Sequence, residues 1–169
     1  MQIILNVNKQ RFTRAGLTFR VGYLTPRETR IWELRRHNLS QSDIGRELGI
    51  SRQAIHKAYQ IIDKKVEQAF MEAAETNNLL IKTVNLVEGV MNAHSPAYDI
   101  PVIVSLSKSN GLKIWYLYEG NCKSCHLQSS CRNILESEAK ERGIQLNATE
   151  QLMQPTQLAI EIFGRYQDD

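Results

Sequence analysis

The chain has 169 residues, of which 42% are hydrophobic and 23% charged, and its formal net charge is +3. This composition is typical of a folded protein with one modest core or two small modules, and it excludes a disordered chain. No apolar run approaches the roughly 20 residues that span a bilayer, and no signal-peptide pattern follows Met1, so we expect a cytoplasmic protein without membrane contact.

The charge is unevenly distributed along the chain. Residues 1–65 hold 13 Lys or Arg against 5 Asp or Glu, a net charge of +8, whereas residues 66–169 hold 8 against 13, a net charge of −5. A basic N-terminal part favours a polyanionic partner, because each phosphate that it neutralises releases condensed counterions.

The first 24 residues contain two short β-prone stretches, residues 3–7 and 17–21, with Lys9, Arg11, Arg14 and Arg20 around them. This pattern fits a small hairpin packed on the core, or a basic arm that lies along DNA. The sequence leaves both interpretations open.

A helix start follows at Thr25, where Pro26 occupies the first helical position and Glu28 can bond back to the cap. Residues 41–60 then have the features of two crossed helices joined by a tight turn. Ser40 can cap the first of them and Ser51 the second, Gly45 is small where the helices would cross, and Gly49 can end the first helix. The facing apolar positions are Ile44, Leu48, Ile50, Ile55 and Ala58.

This stretch resembles the helix-turn-helix of DNA-binding transcription regulators. The form that opens with Leu24-Thr25-Pro26-Arg27-Glu28 is similar to sigma-factor region 4, to LuxR-type motifs and to archaeal Tfx-type proteins. The resemblance covers residues 24–76 and implies a trihelical domain that binds double-stranded DNA.

Helical spacing predicts which side chains of this motif face DNA. With Ile55 and Ala58 turned inward, the second helix presents polar and basic residues outward, of types that bond base edges or phosphates. We expect Ser51, Arg52, Gln53 and His56 nearest the bases, with Gln60 also facing outward, and Lys57, Arg46 and Arg36 on phosphates.

Apolar residues continue at spacings of three and four from Ile55 to Met91, which favours a long helix, plausibly a coiled coil in a homodimer. Packing of the same stripe within one chain is the alternative. The sequence Thr76-Asn77-Asn78 predicts a break, with a second helix over residues 79–91.

The C-terminal part predicts mixed structure. Residues 100–106 and 112–118 flank Asn110-Gly111, a pattern typical of a tight β-hairpin. Two helices are expected after it, over residues 131–142 and 155–166. The predicted fold is therefore mainly α with a small α+β C-terminal module. We divide it into a DNA-binding domain (1–76), a helical dimerisation or linker segment (77–95) and a metal- or cluster-binding sensor module (96–169).

Three cysteines, Cys122, Cys125 and Cys131, have the spacing Cys-x2-Cys-x5-Cys. Their odd number in a chain expected to be cytosolic argues against a disulfide framework. The segment resembles the three-cysteine segment of iron–sulfur proteins, which implies a cluster, most readily 4Fe-4S. Zinc held by the same three thiolates with His126 or His94 is an alternative, and free thiols are another.

These features predict a dimeric, sequence-specific DNA-binding transcription regulator whose cysteine module makes binding redox-responsive. An adaptor or architectural protein with a structural zinc is the alternative. A nucleic-acid-docked enzyme is less favoured, and we expect no catalysis. The sequence has no Gly-rich phosphate loop, no nucleophile beside an obvious base and no acidic cluster spaced for two-metal chemistry.

Overall fold

A computed structural model describes residues 23–118, 120 and 122–166. The N-terminal stretches predicted as a hairpin or basic arm lie outside these residues. Within the described chain, five α-helices and a four-stranded antiparallel sheet form a mixed α+β fold.

Three helices come first: α1 (Pro26–Arg36), α2 (Gln41–Leu48) and α3 (Arg52–Asn77). Each starts at a predicted cap, since the hydroxyls of Thr25, Ser40 and Ser51 accept the backbone N–H three residues on. At α1 the bond is reciprocal, because Glu28 accepts the N–H of Thr25 at 2.7 Å. These bonds satisfy donors that have no partner inside a helix.

The four strands follow one another in the sheet in chain order: β1 (Leu80–Asn85), β2 (Val90–Ser95), β3 (Ile100–Ser107) and β4 (Gly111–Tyr116). All neighbours are antiparallel, and β1 carries a bulge between Ile81 and Thr83. The predicted hairpin is confirmed at β3–β4, where Gly111 has φ of 65°.

Two helices close the chain, α4 (Gln128–Glu141) and α5 (Pro155–Phe163). Both were predicted from the sequence within a few residues, and Gly143, with φ of 70°, follows the end of α4 as expected for a helix stop.

The sheet is buried on both faces at β2 and β3, whose side chains alternate between two cores, whereas the edge strand β1 is largely exposed. Along β3, Val102, Val104 and Leu106 pack against α1–α3, which we call the helical layer. Ile103 points the other way, into a core built with α4 and α5, the C-terminal layer. The chain therefore forms three layers, with the sheet in the middle.

Three sequence predictions are wrong at this level. The segment 77–95 is not a helical linker: α3 ends at Asn77, as predicted, but β1 and β2 follow. Gly89 needs φ of 64°, and a Cβ there would lie 2.6 Å from the Trp32 ring. A tight turn against Trp32 therefore replaces the expected helix.

The coiled-coil interpretation also fails, because the apolar stripe of α3 is used inside the chain. Ile62, Val66 and Ala73 are at most 2% exposed and lie in the core beneath the sheet. The alternative of packing within one chain is correct, and the stripe no longer argues for a dimer. The sheet likewise belongs to the whole described chain, so the boundary at residue 96, which cuts between β2 and β3, does not separate modules.

Candidate nucleic-acid interface and cysteine segment

The connection between α2 and α3 is tight because glycine occupies two positions that need it. A Cβ on Gly45 would lie 2.7 Å from the carbonyl oxygen of Ile50. Gly49 ends α2 with φ of 66°, and the N–H of Ile50 returns to the Gly45 carbonyl at 2.9 Å. The two helices therefore meet closely at a fixed angle.

The inner sides of α2 and α3 are apolar, as predicted. Ile44 and Ile55 are fully buried, and Leu48, Ile50 and Ala58 pack against the same core while partly exposed. Trp32 of α1 fills the centre, and its indole N–H donates to the Leu86 carbonyl at 3.0 Å. This bond joins the helical layer to the β1–β2 turn.

The opposite side of α3 is exposed over its first three turns. We call the exposed set that the sequence predicts for DNA contact the outer face of α3: Ser51, Arg52, Gln53, His56, Lys57 and Gln60. Its members adjoin one another, and Gln60 Nε2 lies 3.4 Å from His56 Nε2. Arg46 of α2 is also exposed, although Asp43 pairs with its guanidinium.

Two arginines of α1 are ion-paired, whereas the two cations at the start of α3 are not paired with any described residue. On α1, Arg30 pairs with Glu47 at 2.6 Å and Arg35 pairs with Asp63 at 2.7 Å. Within the described chain, neither Arg52 nor Lys57 has a carboxylate partner.

The start of α3 adds to the positive potential of its outer face. Its first turn holds no acidic residue, whereas α1 has Glu28 and α2 has Asp43 there. A helix N-terminus carries about half a positive charge, which a first-turn carboxylate would offset. The first turns of α3 therefore combine a helix dipole with unpaired cations.

Arg36 is a correction to the predicted phosphate contacts. Its side chain is 2% exposed, stacks on the Trp32 ring at 4.1 Å and pairs with Glu141 of α4 at 3.1 Å. Helical spacing within α1 predicted that Arg36 faces solvent, but α4 packs over this side of α1 and covers it. A side chain so enclosed cannot reach a phosphate.

The cysteine segment, residues 122–131, runs from a short 3₁₀ turn at Cys122–Ser124 into the first turn of α4. Cys122 and Cys131 are buried, Cys125 is partly exposed, and none forms a disulfide. The sulfur of Cys122 lies 3.5 Å from the Thr156 hydroxyl of α5, so the segment packs on both helices of the C-terminal layer.

The three thiols lie near one another. Burial raises the pKa of the Cys131 thiol, and Cys125 and Cys122 raise it further by electrostatic repulsion. Within the described residues, however, no group of three His, Cys, Asp or Glu side chains is arranged to hold one metal ion. His126 is exposed, and His94 lies 3.2 Å from Asp99, which engages its Nε2. The three thiols lie in the same part of the structure, but they are not arranged as the ligands of one metal ion.

The sequence reasoning missed a buried ionic cluster between the layers. The side chains of Glu138 in α4 and of Arg142, which follows the last residue of α4, are both 0% exposed and pair with each other. Ser105 donates to Glu138 at 3.1 Å and accepts the indole N–H of Trp115 at 3.1 Å. The signal was present, because Glu138 and Arg142 continue the inward stripe of Cys131 and Leu135 at spacings of three and four.

Comparisons with known proteins give no neighbour: no family model, no curated protein and no solved structure matches the chain. Among the described residues, no helix combines the length and the apolar character that crossing a membrane requires.

Proposed function

We propose that the chain is a sequence-specific DNA-binding transcription regulator in which α2 and α3 form the helix-turn-helix and α1 completes a trihelical module. The observation that carries this proposal is the outer face of α3, which is exposed and bears Arg52 and Lys57 without carboxylate partners beside an unopposed helix N-terminus. An apolar inner side and a basic outer side are the requirements for a helix that enters a major groove.

The roles of the individual residues follow from their chemistry. Arg52 would bond guanine and Gln53 adenine, since these side chains match the acceptors and donors that the two bases present in the major groove. Lys57 and Arg46 would bond phosphates and set the register without reading sequence. Ser51 caps α3, so its hydroxyl is already engaged, and its contact with DNA would be secondary.

Selection from a random-sequence duplex pool, followed by fluorescence anisotropy on the recovered duplex, tests this proposal. Arg52→Ala should weaken binding by about 1–3 kcal/mol, roughly 5–150-fold, and relax specificity at one base pair. Lys57→Ala should weaken binding to all sequences and reduce the slope of log affinity against log salt by about one.

Lys140→Ala is the matched control, because Lys140 is an exposed lysine of α4 on the other side of the sheet. Recovery of no duplex by the wild-type chain, or equal losses from Lys140→Ala and Lys57→Ala, would reject the proposal. Light scattering of the complex gives its stoichiometry, and we expect two copies on paired half-sites, since one such module covers a single half-site.

We extend the proposal to the cysteine segment, as a site for an iron–sulfur cluster or, alternatively, zinc. The proximity of three thiols beside a short 3₁₀ turn favours it. Their arrangement in this structure fits a ligand set incompletely, so Cys122 and Cys131 would have to turn from the core. A bound cluster would supply one-electron chemistry, and Cys122, Cys125 and Cys131 would hold it as thiolates.

Iron, sulfide and zinc analysis of protein purified without oxygen distinguishes the alternatives. A broad absorbance near 400 nm that Cys125→Ser removes would support a cluster. About one zinc per chain would instead favour the adaptor role with a structural metal. Absence of both metals would leave free thiols and reject this extension while the DNA-binding proposal stands.

A further inference from the structure

One carboxylate, that of Glu141, holds three parts of the molecule together. Its Oε1 accepts from Arg36 Nη1 of α1 at 3.1 Å. The same carboxylate accepts the backbone N–H groups of Lys108 at 2.8 Å and Ser109 at 3.0 Å, in the β3–β4 turn. The end of α1, the end of α4 and a sheet turn therefore meet at one side chain.

The contact is enclosed from all sides. The Arg36 guanidinium lies on the Trp32 ring, and Glu88 of the β1–β2 turn lies 3.9 Å from its Nε. Burial lowers the pKa of Arg36, and the positive charge of Arg142, from the nearby Arg142–Glu138 pair, lowers it further. Charged groups from α1, the β1–β2 turn and the C-terminal end of α4 thus surround the junction between the helical layer and α4.

The arrangement contains buried donors that an apolar contact would not have. Nε and Nη2 of Arg36 and Nε of Arg142 are buried without a hydrogen-bond partner in the described chain. Unpaired buried donors are costly, and apolar residues of similar size often stabilise such a site as well or better. A buried ionic contact does, however, permit fewer geometries than an apolar one, because it fails when its atoms move apart.

We propose that Arg36 and Glu141 are positioning residues that fix the orientation of the DNA-binding helices on α4 and thereby set DNA affinity without touching DNA. This inference rests on the proposed function. Arg36 ends α1, which packs on α2 and α3, and Glu141 ends the helix whose first turn carries Cys131. The orientation of the outer face of α3 consequently depends on α4.

Glu141→Gln tests the proposal, since glutamine keeps the size of the side chain and one acceptor oxygen, and removes the charge facing Arg36. The Lys108 and Ser109 N–H groups bond to different oxygens of Glu141, so the substitution also costs one of these two bonds. The probe is a fluorescein-labelled duplex of about 30 base pairs, recovered by the wild-type chain from a random pool. Measured well below each unfolding midpoint, binding should weaken at least fivefold, the lower end of usual coupling between sites. Amide exchange should rise in α1–α3 and not in α5.

Two controls separate positioning from general destabilisation. Glu136→Gln makes the same substitution at an exposed residue of α4 that pairs with Arg132. Leu135→Ala opens the apolar core beneath α4 and lowers the unfolding midpoint. Both should leave the affinity of the folded protein within twofold of wild type, a difference of about 0.4 kcal/mol.

The outcomes are distinct for the two proposals. If the wild-type chain recovers no duplex, the proposed function fails. The positioning role is then decided by amide exchange alone, which should be faster in α1–α3 of Glu141→Gln than in the wild type. If the wild type binds DNA and Glu141→Gln binds equally well, or if Leu135→Ala weakens binding as much, Arg36 and Glu141 are structural and the inference is overturned.

Discussion

The helical layer and the C-terminal layer place their charges in opposite ways. In the helical layer the core around Trp32 and Ile55 is apolar, and within the described chain Arg52 and Lys57 of α3 face outward without carboxylate partners. In the C-terminal layer, Glu138 and Arg142 lie inside, paired with each other and bonded to the sheet. The first arrangement leaves charge available for a polyanion, whereas the second uses charge to fix geometry.

This difference shows why one candidate site is better defined than the other. The outer face of α3 needs only a helix with one buried side, so its residues are together wherever α3 forms. The cysteine segment depends on how a turn packs against α4 and α5, and two of its three thiols point into the core. An exposed surface can act as it stands, while a buried segment must rearrange to bind a metal.

Arg142→Met should have the largest effect on stability, and it tests whether the buried charges of the C-terminal layer fix its geometry. The change removes the buried cation and leaves Glu138 without a counter-charge, so we expect a loss of about 3–5 kcal/mol in the free energy of unfolding. Urea denaturation measures it. Lys140→Met, at an exposed neighbour, should change stability by less than about 0.5 kcal/mol; similar losses for both would show that the inner charges are dispensable.

The next largest effect on stability is expected from Gly45→Ala, because α2 and the turn after it lie in close contact in the helical layer. Gly45→Ala would place a Cβ against the Ile50 carbonyl and force α2 and α3 apart, at a cost of about 1–3 kcal/mol in thermal unfolding. A Cβ at Gly164 meets no atom within 4 Å, so Gly164→Ala is the matched control and should be nearly neutral. A stabilised Gly45→Ala protein would contradict the close crossing.

Loss of a helix cap should have a smaller effect. Ser51→Ala removes the acceptor of the Ala54 N–H, and we expect about 1 kcal/mol of destabilisation in the same thermal assay. Ser51→Asp retains an acceptor and should recover most of the stability, while its negative charge beside Arg52 should weaken DNA binding. Equal stability of the alanine and aspartate proteins would show that the cap at Ser51 does not stabilise α3.

The smallest expected effect is the loss of stability in acid that comes from Glu141, at the junction between the helical layer and α4. Burial alone would raise the pKa of Glu141, but the N–H groups of Lys108 and Ser109 and the charge of Arg36 bring it below its ordinary value. A carboxyl whose pKa is lower in the folded state stabilises the fold above its unfolded pKa. That contribution is lost as the pH falls through the folded value.

Urea denaturation of wild type and Glu141→Gln at a series of pH values checks this linkage. The difference in their unfolding free energies should be constant near neutrality and shrink as the pH falls below the ordinary carboxyl range. A difference that grows in acid would mean that Glu141 is not held ionised by its partners.

The sequence alone determined the local features of this protein. The three cap residues, the left-handed Gly49, the Asn110-Gly111 hairpin and the end of α3 depend on neighbours within a few positions, so each was predicted and is present. The exposed residues of the outer face followed from helical spacing for the same reason.

The tertiary structure decided everything that depends on distant partners. Spacings of three and four predicted a helix over residues 79–91, but this part of the chain forms β1, β2 and the turn between them, where Gly89 lies against Trp32. Arg36 was predicted outward because its partner Glu141 lies 105 residues away. Periodicity gives the side of an element on which a residue lies, but which other element covers that side is settled only when the layers pack.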